Sequence, residues 1–252
     1  MDASLQAKLD LNLKALRLPT ILSEYSAHAT EAMSQGRSYE QYLLGLVLSE
    51  QEKRQAKKVQ SLLRQAKFPK TKLLSDYDFK QTEVEQAAIA QLAQGFFLSD
   101  STNIIFYGTP GAGKTHLALA LGRELCLAHY KVIFFTGCEL VQQLARAKNE
   151  LGLSKYFKKL MAYDLVIIDE LGYIPFERVE SELLFQFISD RYERKSIMIT
   201  TNLSFGEWDA LFQDKMIATA AIDRLVHHSI VFRFESSSHR TQEAKRRKAQ
   251  KA

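Results

Sequence analysis

Residues 103–128 read NIIFYGTPGAGKTHLALALGRELCLA, and the order of features in this stretch decides the fold. Asn103–Tyr107 is an apolar run of strand length, and His116–Ala128 has the spacing of a helix. Between them GTPGAGKT, Gly108 to Thr115, fits G-x-x-x-x-G-K-[ST]. The glycines let the loop wrap so that backbone N–H groups point inward at phosphate oxygens. A helix starting near Lys114 adds the partial positive charge of its N-terminus. Gly108, Thr109, Pro110, Gly111, Ala112, Gly113, Lys114, Thr115 and His116 are therefore the candidate nucleotide-binding residues. Lys114 is placed to reach the β- and γ-phosphates and the Thr115 hydroxyl to ligate Mg²⁺. A chance glycine-rich turn would lack the strand before it and the helix after it.

Working outward, strand-like runs recur at Lys131–Thr136, Asp164–Ile168, Ser196–Thr200 and Ser229–Phe234. Helical patterns fill the gaps at Glu139–Asn149, Val179–Tyr192 and Phe205–Ala220. Apolar strands alternating with helices predict a parallel sheet covered on both faces, an α/β fold. The run Leu165–Ile168 leads into Asp169-Glu170, which sets two carboxylates at the carboxyl edge of a buried strand, where such sheets bind ligands. Asp169 is the expected Mg²⁺ holder, and Glu170 the group that orients the water attacking a γ-phosphate. A helix-capping acid beside a solvated glutamate is the rival reading, disfavoured by the phosphate loop. A whole strand, Lys131–Thr136, falls between the loop strand and the acidic strand, which leaves room for one strand to insert between them. That order suits an ATPase better than a nucleotide kinase or GTPase, and no Asn-Lys-x-Asp guanine-reading motif occurs.

Two further positions carry open alternatives. Asn202 either hydrogen-bonds the γ-phosphate and attacking water or turns the chain before Phe205. Arg224 either neutralises transition-state charge or pairs with Asp223 or Asp214. His227, His228 and Cys138 read as structural or surface residues, because no metal-ligand set of sensible spacing is visible.

Residues 1–95 show almost no strand signal and predict a small all-helical domain that binds DNA or a partner. Three of its tyrosines, Tyr25, Tyr39 and Tyr42, share stripes with leucines and read as core. Residues 96–238 form the nucleotide domain and 239–252 a basic tail. The 252 residues are 46% hydrophobic and 25% charged, which excludes wholesale disorder and fibrous repeats. No apolar run reaches the ~18 residues of a membrane span, the start lacks a signal-peptide layout, and two cysteines cannot build a disulfide scaffold. The expectation is a soluble cytoplasmic protein without a membrane partner. The net charge of +5 is concentrated: the tail from His239 carries six basic residues against the single acid Glu243. Eight Lys or Arg lie between Lys53 and Lys72 without one acid. Such blocks are the footprint of a phosphate-backbone partner, with a solvated helix face and tail as the plain alternative.

The strings GTPGAGKTHLALALG, DLVIIDELGYIPF, LLFQFISDRYERKSIMITTNLSFGEW and AAIDRLVHHS together resemble the IstB-like ATP-binding proteins, helper ATPases encoded beside insertion-sequence transposases. These are relatives of the DnaC helicase loader within the AAA+ superfamily, and the resemblance runs from about Leu5 to Arg240. It implies a P-loop NTPase of AAA+ type, with Gly108–Thr115 as Walker A, Asp169 and Glu170 as Walker B, and Asn202 as sensor 1. It implies that Arg224 acts as an arginine finger on a neighbouring subunit's ATP. Also implied are ATP and Mg²⁺ as cofactors, ATP-dependent homo-oligomers, double-stranded DNA bound with little sequence preference, and a transposase partner. The C-terminal end departs from the family's Gly-x-Ser-Tyr-Arg close, with Ser236-Ser237-Ser238-His239-Arg240 in its place, and Thr201 stands where Ser is frequent. The expected function is a DNA-bound transposition ATPase. The alternatives are a helicase loader and an ATP-binding scaffold with incidental hydrolysis.

Overall fold

The strand that carries the glycine loop is not paired with the next strand along the chain. In the computed structural model, which describes residues 3–235 apart from 174 and 213, the strands are β1 (Asn103–Gly108), β2 (Val132–Thr136), β3 (Leu165–Leu171), β4 (Ser196–Thr201) and β5 (Ser229–Phe234). They form one five-stranded sheet in the order β2-β3-β4-β1-β5, with every neighbouring pair parallel. β4 is the strand inserted between β1 and β3. Met198 lies opposite both Ile104 and Ile167, so the carboxyl ends of all three strands reach the same edge.

The strands are apolar throughout because each face is covered. Ile104 and Phe106, Val132 and Phe134, and Leu165 and Ile167 join one core with Leu117, Leu121 and Leu125 of α5 (Lys114–Leu127). The alternate residues Ile133 and Phe135, Val166 and Ile168, and Ile197 and Ile199 enter a second core. The second is closed by α6 (Gly137–Asn149), α7 (Leu153–Met161), α8 (Arg178–Arg191) and α10 (Lys215–His227). At ~1.5–3 kcal/mol for each fully buried large aliphatic side chain, the two cores dominate the stability of the sheet.

The stretch expected as one helix, Phe205–Ala220, is broken. A 3-10 turn at Phe205–Glu207 is followed by the short α9 (Asp209–Phe212), and α10 begins anew. Asp214 caps α10 by accepting the N–H groups of Met216 and Ile217 at 2.8 and 3.2 Å. Trp208, fully buried, anchors the break in the second core.

The predicted boundary near Gly95 is not where the molecule divides. The compact units meet between Ser61 and Leu62. The first holds α1 (Ala3–Ala15), α2 (Pro19–Ser34) and α3 (Tyr39–Ala66) as far as Ser61, around Leu13, Tyr25 and Leu46. In it the Glu50 carboxylate accepts the N–H groups of Thr20 and Ile21 at the start of α2 and pairs with Arg54. Tyr39, read as core, is 90% exposed at the first position of α3. In the second unit, Leu62, Ala66, Tyr77, Val84, Phe97, and Ile89 and Leu92 of α4 (Gln86–Ala93) share the core of β1 and α5. This segment is helical but has no core of its own, so it belongs with the sheet. Among the described residues no helix is long and apolar enough to cross a membrane.

Candidate nucleotide site

The loop between β1 and α5 is held by its backbone. Gly108 has φ +134°, and a Cβ there would lie 2.2 Å from the Phe234 carbonyl oxygen, so only glycine lets β1 run this close to β5. The next residue, Thr109, donates its N–H to that same carbonyl at 3.0 Å. Gly113, at φ +96°, is the N-cap of α5, and a Cβ there would meet the Tyr77 ring at 2.9 Å. The Lys114 side chain is buried and folds back over the loop, donating to the carbonyls of Gly108 and Thr109, each at 2.8 Å.

The Asp169 carboxylate is tied to this loop directly. Thr115 Oγ1 donates to Asp169 Oδ1 at 2.9 Å, and Thr200 Oγ1, on β4, donates to the same oxygen. Asp169 is 4% exposed, while Glu170 is exposed in the cleft. Consecutive strand residues point to opposite faces, yet these two acids serve one edge because the strand kinks between them. Glu170 has φ +56°, the β3–β4 register shifts between Ile168 and Leu171, and the Glu170 N–H is accepted by Thr200 Oγ1 at 2.9 Å. A non-glycine residue in the left-handed region costs about 1–3 kcal/mol and persists only where its surroundings hold it. Thr201 supplies more of that hold, donating its hydroxyl to the Leu171 carbonyl at 2.6 Å and accepting the Leu203 N–H at 3.1 Å.

A cleft of about 690 Å³ opens beside these groups. Pro110, Gly111, Gly113, Lys114, Thr115 and His116 meet Glu170, Thr200, Thr201 and Asn202 there. Asn202, exposed just beyond β4, thus lines the same cleft as the phosphate loop. Arg224 is not among the lining residues. It lies on α10 with its guanidinium 4.8 Å from the Phe185 ring centroid, donating to the Ala220 carbonyl at 3.1 Å. Among the described residues it forms an ion pair with neither Asp223 nor Asp214.

The sequence did not reveal a further part of the lining, which packs beside the loop: Pro69, Lys70, Lys72, Asp76, Tyr77 and Asp78. His116 bonds to the Leu73 carbonyl at 3.1 Å, and its ring meets Tyr77 edge-on at 5.4 Å. Burial pushes the Tyr77 phenol above its ordinary value. The only hint in the sequence was Pro69 inside a basic stretch. That stretch is also not one surface: Lys70 and Lys72 line the cleft, whereas Lys53 pairs with Glu24 and Arg54 with Glu50. Lys57 and Lys58 remain exposed on α3. Residues 236–252, including Arg240 and the basic tail, lie outside the described residues.

The hydroxyl of Thr115 and the carboxylate of Asp169 form a hard, oxygen-only donor set of the kind Mg²⁺ takes. Together with the loop amides and Lys114, the cleft has the chemistry for a nucleoside triphosphate.

The family model described as IstB-like ATP binding protein matches residues 11–249. A protein of Geobacillus stearothermophilus, named for ATP binding in insertion sequence IS5376, is 39% identical over 229 residues, covering 90% of this chain and 91% of its own. One named likewise for insertion sequence IS21 in Pseudomonas aeruginosa is 33% identical over 240 residues, covering 95% and 91%. Among solved structures, AMPPCP-bound DnaA from Aquifex aeolicus superposes with a TM-score of 0.56 at 17% identity, over 71% of this chain and 55% of that one. DnaI gives 0.55 at 17% identity, over 70% and 94%. These two are likenesses of fold alone, and the fold is that of P-loop AAA+ proteins. By the length and extent of the sequence match, the chain belongs to the IstB-like ATP-binding protein family.

Proposed function

We propose that this chain is an ATPase switch that assembles on double-stranded DNA and hands it to the transposase of its insertion sequence. The observation that carries the reading is the hydrogen-bonded path Thr115–Asp169–Thr200–Glu170, which joins the phosphate loop to a carboxylate held by a strained backbone in the same cleft. ATP lies with its phosphates on the loop amides and Lys114, and its base towards the Pro69–Asp78 wall. Thr115 and Asp169 would hold Mg²⁺, which when bound offsets phosphate charge. Glu170 orients the attacking water and takes its proton as the oxygen bonds to the γ-phosphorus and the bond to the β-phosphate oxygen breaks. Asn202 contacts the γ-phosphate or that water and so distinguishes ATP from ADP.

Arg224 acts on a neighbouring protomer's ATP, which accounts for its place away from its own cleft. Assembly between ATP-bound copies aligns basic groups along the DNA backbone, and hydrolysis releases them. The test compares the parent with Glu170→Gln for ATP turnover and for DNA binding in ATP and in ADP. The variant should lose turnover by about 10²-fold or more and hold DNA in ATP. Parental turnover in the variant, or DNA binding indifferent to nucleotide in the parent, would overturn the reading.

A further inference from the structure

The turn after α8 and the end of α10 bring together three side chains from segments far apart in sequence. Glu193, His227 and His228 each offer a ligand atom, and these atoms all lie within 4.8 Å of one another. We propose that they form a binding site for a borderline transition dication of the Zn²⁺ type, independent of the nucleotide cleft.

The spacing favours a shared ion over a simple ion pair. His228 Nε2 stands 3.4 Å from Glu193 Oε1. A direct charge-assisted hydrogen bond would close to about 2.7–2.9 Å. Two ligands on one tetrahedral zinc, each about 2.1 Å from it, sit roughly 3.4 Å apart. Two imidazoles and one carboxylate are an N/O set that zinc accepts and Mg²⁺ does not prefer. The second imidazole is already oriented: the Tyr192 hydroxyl lies 2.9 Å from His227 Nδ1, an outer contact that holds the ring in place. Glu193 takes φ +57° in the turn that ends α8, the left-handed conformation that also follows α1, α3, α5 and α6. All three residues are exposed, so water can complete the coordination.

The site lies by the starts of β4 and β5, at the sheet edge opposite the phosphate loop, so nucleotide does not use it. Its two histidines close the same helix that bears Arg224, so a bound ion ties that helix end to the turn after α8.

The test is calorimetric titration of the full chain, stripped with chelator and free of any affinity tag, with ZnCl₂ and separately with MgCl₂. The parent should bind one Zn²⁺ per chain and melt at a higher temperature with zinc, with no comparable response to Mg²⁺. Glu193→Gln and His228→Asn, both exposed substitutions, should each weaken zinc by at least ~10-fold. His239→Asn, in the tail, should leave it unchanged. Zinc binding by the parent that survives both site variants, or its absence from the parent, would overturn the proposal. So would a loss confined to His228→Asn, which would mean a surface imidazole acting without Glu193.

Discussion

Thr200 receives the backbone N–H of Glu170 on its hydroxyl oxygen at 2.9 Å while giving its own proton to Asp169. One buried hydroxyl therefore fixes both acids of the pair, from β4, the strand that leads to Asn202. Replacing it with valine keeps the shape and removes both bonds. An unsatisfied buried donor costs about 1–3 kcal/mol, and each ~1.4 kcal/mol of lost transition-state stabilisation is tenfold in rate. Thr200→Val should cut ATP turnover at least ~10-fold while ATP affinity changes little, because the loop that holds the phosphates is intact. Thr200→Ser should restore most of the rate. Turnover and affinity falling together in both variants would point to a general loss of fold.

Arg224 stands away from its own chain's cleft, so its contribution is tested by mixing. Arg224→Ala and Glu170→Gln should each be inactive alone, the first by about 10³-fold or more. Combined, they should regain turnover, because a protomer retaining Glu170 can meet a neighbour retaining Arg224. A mixture as inactive as its components would remove the trans role.

The basic stretch is divided by the structure, and its parts should respond differently. Lys57→Ala with Lys58→Ala should lower the slope of log K for DNA against log salt by about 2, one for each lysine that no longer neutralises a phosphate. Lys70→Ala with Lys72→Ala should weaken ATP instead, since these two line the cleft. Equal loss of DNA binding from both pairs would argue for one continuous DNA surface.

Cys126 is fully buried in α5, and desolvation pushes its thiol from 9.0 up to about 11. Between those values the unfolded thiol has lost its proton and the folded one has kept it. The unfolded state then binds fewer protons, so stability is whole below pH 9 and declines as pH rises towards 11. Denaturant midpoints measured from about pH 8 to pH 10.5 should fall less steeply in Cys126→Ala than in the parent, whatever the variant's offset at the lower end. Parallel pH profiles would show that this thiol does not set the alkaline limb.

Much of the site was legible because its signals are local. Strand, glycine loop, Lys114 and helix follow one another within residues 103–128, and the acid pair ends an apolar run. The inserted strand was legible too, from the order of elements alone. The division of the chain was not, because a helical segment without strands looks the same whether it has a core or borrows one. Leu62 to Phe97 borrow theirs from β1 and α5. The helix expected over Phe205–Ala220 failed for a related reason: the apolar pattern continues through the break, and only Asp214 marks a new start.

By itself the sequence determined the parallel α/β order and the phosphate loop, because glycine spacing and apolar periodicity act between near neighbours. It also determined the family, through long strings such as DLVIIDELGYIPF. The tertiary structure alone decided that Thr200 holds Asp169 and Glu170, that Lys72 belongs to the cleft rather than to a basic stripe, and that Glu193 meets His227 and His228. Each of these joins residues from separate strands, helices or loops. Their distances are set by how the sheet and its helices bury apolar surface, which is a property of the assembled chain rather than of any one stretch of it.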